Sequence, residues 1–163
     1  MAGLVLSCGT LVLDRERELL LGHASGSARW DIPKGLSEPG ESARETARRE
    51  TAEESGLVLA SEGLLDLGRH PYLRGKDLHL FAVLIERIDP ARCTCSTHFL
   101  DSRNRLRPEV DAHAWVPFEA VALRCGKSLA ALLTQRLSLE AVLADLLERE
   151  RAHGPAAWHW SAG

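Results

Sequence analysis

No apolar run in the 163 residues approaches the roughly 18 needed to cross a bilayer, and the N-terminus lacks the basic-then-apolar layout of a secretory leader. No membrane role is expected, and a cytoplasmic location is. A basic excess is missing too. Twenty Lys and Arg against 23 Asp and Glu give a formal net charge of −3, whereas a non-specific nucleic-acid binder normally carries a basic face. No stable nucleic-acid complex is therefore expected. The four cysteines, Cys8, Cys93, Cys95 and Cys125, form no disulfide framework, and a chain of this size needs none. Cys93 and Cys95 are one residue too close for the usual zinc hook, even with His98 nearby, so the cysteines read as free thiols. No internal repeat at solenoid spacing is present. What remains, 45% hydrophobic and 26% charged residues, suits a single globular domain over 1–163.

Between Glu41 and Ser55 there is neither Pro nor Gly. The stretch is rich in Ala, Glu and Arg, follows a Pro39-Gly40 turn and stops at Gly56, which predicts a helix with a glycine C-cap. At about 100° per residue, Glu50, Glu53 and Glu54 share one face. Three carboxylates converge there, in the last turn, where the helix dipole disfavours negative charge. A cation should compensate them. Hard divalent ions such as Mg²⁺ or Mn²⁺ take carboxylate, carbonyl and water oxygens and bridge carboxylates to phosphates. Glu41 lies about 80° around the helix from Arg49, within reach of an ion pair. A solvated helix laced with ion pairs from Arg44, Arg48 and Arg49 is the ordinary alternative for such composition.

The spacing decides between them. Gly35, five residues, Glu41, seven residues, Arg49-Glu50, two residues, Glu53-Glu54, one residue, then Gly56 and Leu57 resembles the signature of the Nudix hydrolases at every fixed position. Thr51 is the one soft departure, standing where an aliphatic is usual. The resemblance implies an α/β fold, the Nudix α/β/α sandwich with a central mixed β-sheet. It also implies a hydrolase of phosphoanhydrides that uses Mg²⁺ or Mn²⁺. By the same resemblance Glu50 and Glu54 carry metal, Gly35 gives its carbonyl, and Glu53 shares ligation or takes the proton from the attacking water. Arg49 orients the carboxylates, Glu41 supports Arg49, and Glu109 is the candidate for a further glutamate from a later loop.

Elsewhere, residues 3–13 read as a strand with a possible kink at Gly9, and Glu18 to His23 as its hairpin partner. Residues 24–28 form a loop, and Trp30 to Lys34 leads into Gly35. Leu57 to Leu59 and Leu64 to Leu67 are short apolar pieces, with Gly68 to Tyr72 as a bend or strand end. Leu78 to Ile88 has the length and β-branched content of a strand buried on both faces. Residues 89–108 lack a period and read as an insertion loop. His113 to Val116 returns as a strand, and Pro117 opens a helical segment running from about 118 to 153. Its leucines recur at helical spacing, as one helix broken near Ser138 or as two, facing the sheet or a second copy. Both monomer and homodimer stay open. The tail, 154–163, holds Trp158-His159-Trp160, whose docking the sequence leaves undecided.

Trp30 to Glu41, with Pro33-Lys34-Gly35, looks most like the Nudix branch that hydrolyses dinucleoside polyphosphates such as diadenosine tetraphosphate. On that reading Tyr72 stacks on a base, and His23, Arg29, Lys34, Arg74 and Lys76 meet the polyphosphate. Nucleoside triphosphates, ADP-ribose, and triphosphorylated or capped RNA are the alternatives within the family. A non-catalytic nucleotide-binding module is the alternative outside catalysis.

Overall fold

A computed structural model describes residues 5–162, so positions 3 and 4 of the expected first strand lie outside the described residues. The chain runs β1 (Val5–Leu13), β2 (Glu18–Ala24), β3 (Trp30–Asp31), β4 (Lys34–Leu36), α1 (Ala43–Ser55), β5 (Leu57–Leu59), β6 (Leu65–Leu73), β7 (Lys76–Leu84), β8 (His98–Leu100), β9 (Leu106–Pro108) and β10 (Val110–Pro117). It ends with α2 (Val121–Arg124), α3 (Lys127–Ala131), α4 (Leu139–His153) and β11 (Trp158–Trp160). The main sheet has the order β10-β2-β1-β7-β6. Among the described residues the β1–β7 pair is parallel and the other pairs of this sheet are antiparallel, so the sheet is mixed.

The β1–β2 hairpin opens almost as soon as it forms. Its paired register is confined to Leu13 and Leu19, and the gap beyond is filled by β3 against β2 and β4 against β1. Gly9 makes this possible. A Cβ there would lie 2.7 Å from both Lys34 Cβ and the Pro33 carbonyl, so any larger residue would push β4 out of the gap. The expected kink is a close approach of two strands.

Apolar side chains cover both faces of the sheet. On one face Leu11, Leu13, Leu21, Leu78 and Leu80 pack against Leu129, Leu132, Leu133, Val142, Leu143 and Leu146. The leucine stripe of the C-terminal segment is therefore core. On the other face Val12, Leu20, Phe81 and Val83 pack with Ala47 of α1 and Leu57 and Leu59 of β5. Each fully buried Leu or Phe contributes roughly 1.5–3 kcal/mol relative to exposure, and the two cores hold α1 and the C-terminal helices on opposite sides. This is an α/β/α sandwich.

Several elements differ from the reading of the sequence. Leu65–Leu73 is one edge strand, β6, with register shifts beside Gly68 and Pro71; bulges at an edge carry it through Gly68 to Tyr72, the stretch read as a bend or strand end. Residues 89–108 contain a 3₁₀ turn and the β8–β9 hairpin, strands too short to show a period. Pro117 ends β10, and the helical segment starts with a 3₁₀ turn, Phe118–Ala120. The break near Ser138 is a π turn, Leu132–Arg136, followed by Ser138, whose hydroxyl accepts from the Ala141 amide to cap α4. The tail docks: β11 pairs with β5, Trp158 opposite Leu59 and Trp160 opposite Leu57.

Candidate active site

Helix α1 begins with a capping box in which Ser42 accepts from the Glu45 amide and Glu45 accepts from the Ser42 amide. It ends at Gly56, φ +82°, a conformation glycine adopts without the cost a Cβ imposes. Its sheet-facing side is polar, with Thr46, Thr51 and Ser55 buried beside Ala47. Thr51 explains its own departure from the signature. Its hydroxyl donates to the Ala47 carbonyl at 2.7 Å and lies 2.9 Å from Thr10 Oγ1 on β1, so the buried polar group is satisfied.

One guanidinium organises the acidic face. Arg49 Nε donates to Glu41 at 2.7 Å, Nη1 to Glu50 at 2.9 Å and Glu53 at 3.2 Å, and Nη2 to the Leu36 carbonyl at 3.0 Å. These contacts tie the helix to the loop that delivers Gly35. The Arg49 guanidinium, helped by Thr46 and the Glu38 amide, holds the Glu41 carboxyl down at about 2. Glu50 lies directly over Gly35, where a Cβ would meet its carboxylate at 2.1 Å. Only glycine fits. The Lys34 amide donates to Glu54 at 3.0 Å. Burial pushes Glu54 up to about 8 and raises Glu50 as well, with Glu53 and Glu109 nearby adding to the Glu50 shift.

Glu109 shares with Glu54 and His113 the lining of a cavity of about 140 Å³ between β2, β3 and the end of α1. It thus comes together with the helix carboxylates. Lys34 faces away from Gly35. Its ammonium pairs with Asp31 at 2.9 Å and lies 5.9 Å from the centre of the Tyr72 ring. Burial works most strongly against the Lys34 charge, but Asp31, Tyr72 and Glu54 together outweigh it and the net shift is upward. His23 is engaged differently from expectation: Nδ1 lies 2.6 Å from Asp111 Oδ1, and the ring packs against Trp30. Arg29 is exposed, its stem 3.5 Å from where a Cβ on Gly126 would sit. Arg74 and Lys76 flank the Gly75 turn, with Lys76 opposite Val5, three rungs along β1 from the Cys8–Gly35 pair. They are not gathered with the carboxylates.

Three residues that the sequence reading passed over belong to this neighbourhood. Asp31 stands at i−3 from Lys34, a spacing that could have been noticed. Asp111 and His113 come from β10 and have no local signal. His113 Nε2 lies 2.9 Å from the Glu54 carbonyl, and burial lowers the pKa of its ring. A further acidic group, Asp14, Glu16 and Glu18, is bridged by Arg87 at 2.8, 3.6 and 2.9 Å at the β1–β2 turn. A single guanidinium offsets part of its charge. All four cysteines are free, and burial raises Cys93 and Cys125 to about 12.

The model of the NUDIX domain matches residues 3–137. The chain belongs to the Nudix family. An uncharacterized 17.7 kDa protein of Enterobacteria phage T4 is 37% identical over 123 residues, 69% of this chain and 82% of its own. A putative 8-oxo-dGTP diphosphatase of Bacillus subtilis is 35% identical over 71 residues, 44% of this chain and 47% of its own. Among solved structures, an Ap4A hydrolase of C. elegans superposes with a TM-score of 0.57 at 21% identity, covering 88% of this chain and 98% of that one. The Nudix domain of Shewanella oneidensis NrtR, complexed with ADP ribose, gives 0.56 at 18% identity over 93% and 90%. As a Nudix hydrolase the protein acts on phosphorus-containing acid anhydrides, and enzymes of the family generally use divalent metal ions. The donor set fits such an ion. It is all oxygen, and burial raises two of its carboxyls against their charged form, a cost that a hard cation bound at Glu50, Glu53 and Glu54 relieves.

Proposed function

We propose that this Nudix hydrolase cleaves a dinucleoside polyphosphate, with diadenosine tetraphosphate as the reference substrate, by attack of water on phosphorus. Glu50, Glu53, Glu54 and the Gly35 carbonyl would hold Mg²⁺ or Mn²⁺. Bound there, the ions neutralise phosphate oxygens and lower the pKa of water. Arg49 fixes Glu50 and Glu53 by charge-assisted hydrogen bonds, so the donor set is arranged before substrate arrives. Glu53 is the carboxylate we assign to the attacking water, because its side chain is 32% exposed against 12% for Glu50.

The observation that carries the substrate reading is the alternation along β4. Gly35 turns toward the carboxylates, and its neighbour Lys34 turns toward a half-buried Tyr72. One short strand thus carries a lysine beside an aromatic ring, one residue from Gly35, an arrangement that would suit a phosphate and its base. A base stacked on Tyr72 would gain about 1–3 kcal/mol, and its phosphates would compete with Asp31 for Lys34.

The test is a comparison of kcat/KM with Mg²⁺ for diadenosine tetraphosphate, ADP-ribose, 8-oxo-dGTP, dGTP and 5′-triphosphorylated RNA. Diadenosine tetraphosphate is expected to lead, with Tyr72→Ala raising its KM about tenfold and Tyr72→Phe leaving KM near wild type. A poor rate with diadenosine tetraphosphate overturns the substrate assignment.

A further inference from the structure

We propose that the insertion loop, β10 and the C-terminal tail form a clamp on the last turn of α1, with Thr94, Ser96, His113 and Ser161 as positioning residues for the metal-holding carboxylates. This rests on the metal reading above. The last four carbonyls of a helix have no partner within it, and α1 carries no basic residue in its last turn. Here four consecutive carbonyls each receive a donor from elsewhere in the chain. Glu53 O accepts from the Ser96 amide at 2.7 Å and from its hydroxyl at 3.3 Å. Glu54 O accepts from His113 Nε2 at 2.9 Å, Ser55 O from the Thr94 amide at 3.1 Å, and Gly56 O from the Ser161 amide at 2.7 Å.

The donors come from three segments far apart in sequence, and the segments are locked to one another. The Arg92 guanidinium of the loop sits 4.9 Å over the Trp160 ring of the tail. Thr94 Oγ1 stands 2.8 Å from the position a Gly56 Cβ would take, so loop and helix cap are in direct contact. The family match stops at residue 137, which leaves β11 and Ser161 beyond the shared pattern. A segment outside that match thus reaches the turn that bears Glu53 and Glu54.

Neutral donors suit this position. The helix end carries partial negative charge, and two carboxylates add to it. A Lys or Arg placed there would relieve the charge by pairing with the carboxylates, in competition with a metal ion. Amide and imidazole N–H groups bond the carbonyls instead and add no ion pair to carboxylates that already accept from Arg49 and the Lys34 amide. Fixing the four carbonyls fixes the Cα positions of Glu53 and Glu54, and a misplacement of about 1 Å at such a site costs on the order of a hundredfold in rate.

The experiment measures Mn²⁺ binding to the full-length protein by the electron paramagnetic resonance of free Mn²⁺, alongside kcat and KM and with folding checked by circular dichroism. Ser161→Pro removes one clamp donor at the chain end, Ser96→Pro another, and His113→Leu a third. Each is expected to weaken Mn²⁺ binding and lower kcat about tenfold, with KM changed less than about threefold. His113→Gln, whose amide can donate, should recover most of the loss, and Ser96→Ala, which keeps the amide, should lose less than Ser96→Pro. Glu54→Gln serves as the reference for the metal reading. If it binds Mn²⁺ like wild type, the metal assignment fails. If Glu54→Gln loses Mn²⁺ while the folded clamp variants bind it and turn over like wild type, the clamp is overturned.

Discussion

Replacing Gly35 with Ala adds one methyl group at the point where β4 meets α1. The new carbon would lie 2.1 Å from the Glu50 carboxylate, whereas ordinary contact begins near 3.4 Å. Glu50 must retreat by more than an ångström, and its 2.9 Å bond from Arg49 cannot survive that motion unchanged. Overpacking of this kind costs about 1–3 kcal/mol in stability, and displacing a metal ligand by about 1 Å costs on the order of a hundredfold in rate. Gly26→Ala is the matched control. Gly26 has φ +77° and open space around it, so alanine there costs about 1–2 kcal/mol from the backbone alone. Thermal unfolding should show comparable losses for the two variants, while kcat/KM with diadenosine tetraphosphate and Mg²⁺ should fall about a hundredfold for Gly35→Ala only. Wild-type turnover in Gly35→Ala would refute the view that the Gly35–Glu50 contact sets the geometry of the site.

Arg49→Lys keeps the charge but cannot reach Glu41, Glu50, Glu53 and the Leu36 carbonyl together; kcat should fall about tenfold or more, and a steady-state assay at saturating Mg²⁺ checks it. Glu41 releases its proton at lower pH in the folded protein than in the unfolded chain, about 2 against 4.5. The stabilisation, on the order of 2 kcal/mol, is therefore complete above pH 4.5 and is lost as pH falls toward 2. Denaturant titrations across that window should show a steeper loss for wild type than for Glu41→Gln. Arg87→Met removes a half-exposed guanidinium from Asp14, which keeps the Glu16 and Glu18 amides, and should cost about 1–2 kcal/mol in denaturant unfolding, with activity retained.

The acidic helix was legible because its information is local: a Pro-Gly turn, a glycine stop and carboxylates at i, i+3 and i+4. The pair of Glu41 with Arg49 closes at 2.7 Å, but Glu41 stands ahead of the Ser42 cap and outside α1, so the loop before the helix makes it and not the helical angle of about 80° expected. The main strands of the sheet were legible for a similar reason, as long apolar runs. Beyond about a dozen residues the signal weakens. His23 looked like a free cation because its partner, Asp111, lies 88 positions away. β8, β9 and β11 are three residues each, too short for alternation to register. The pairing of β11 with β5 depends on where the α4 helix ends, which no local pattern states. Arg74 and Lys76 were grouped with the site on charge alone; the register of β7 against β1 puts Lys76 three rungs from the Cys8–Gly35 pair, and Arg74 lies in the turn before it.

The parted β1–β2 hairpin also bears on the order in which the molecule comes apart. β4 is held in the gap by three register pairs, Ser7–Leu36, Cys8–Gly35 and Gly9–Lys34, whereas β1 and β7 are joined along nine. The wedge is far less extensively paired than β1–β7, and partial opening there draws on the core chiefly through Ile32, buried between β3 and β4. Under mild denaturant, turnover should vanish while the cores remain closed, so the catalytic geometry and the fold have separate denaturation midpoints.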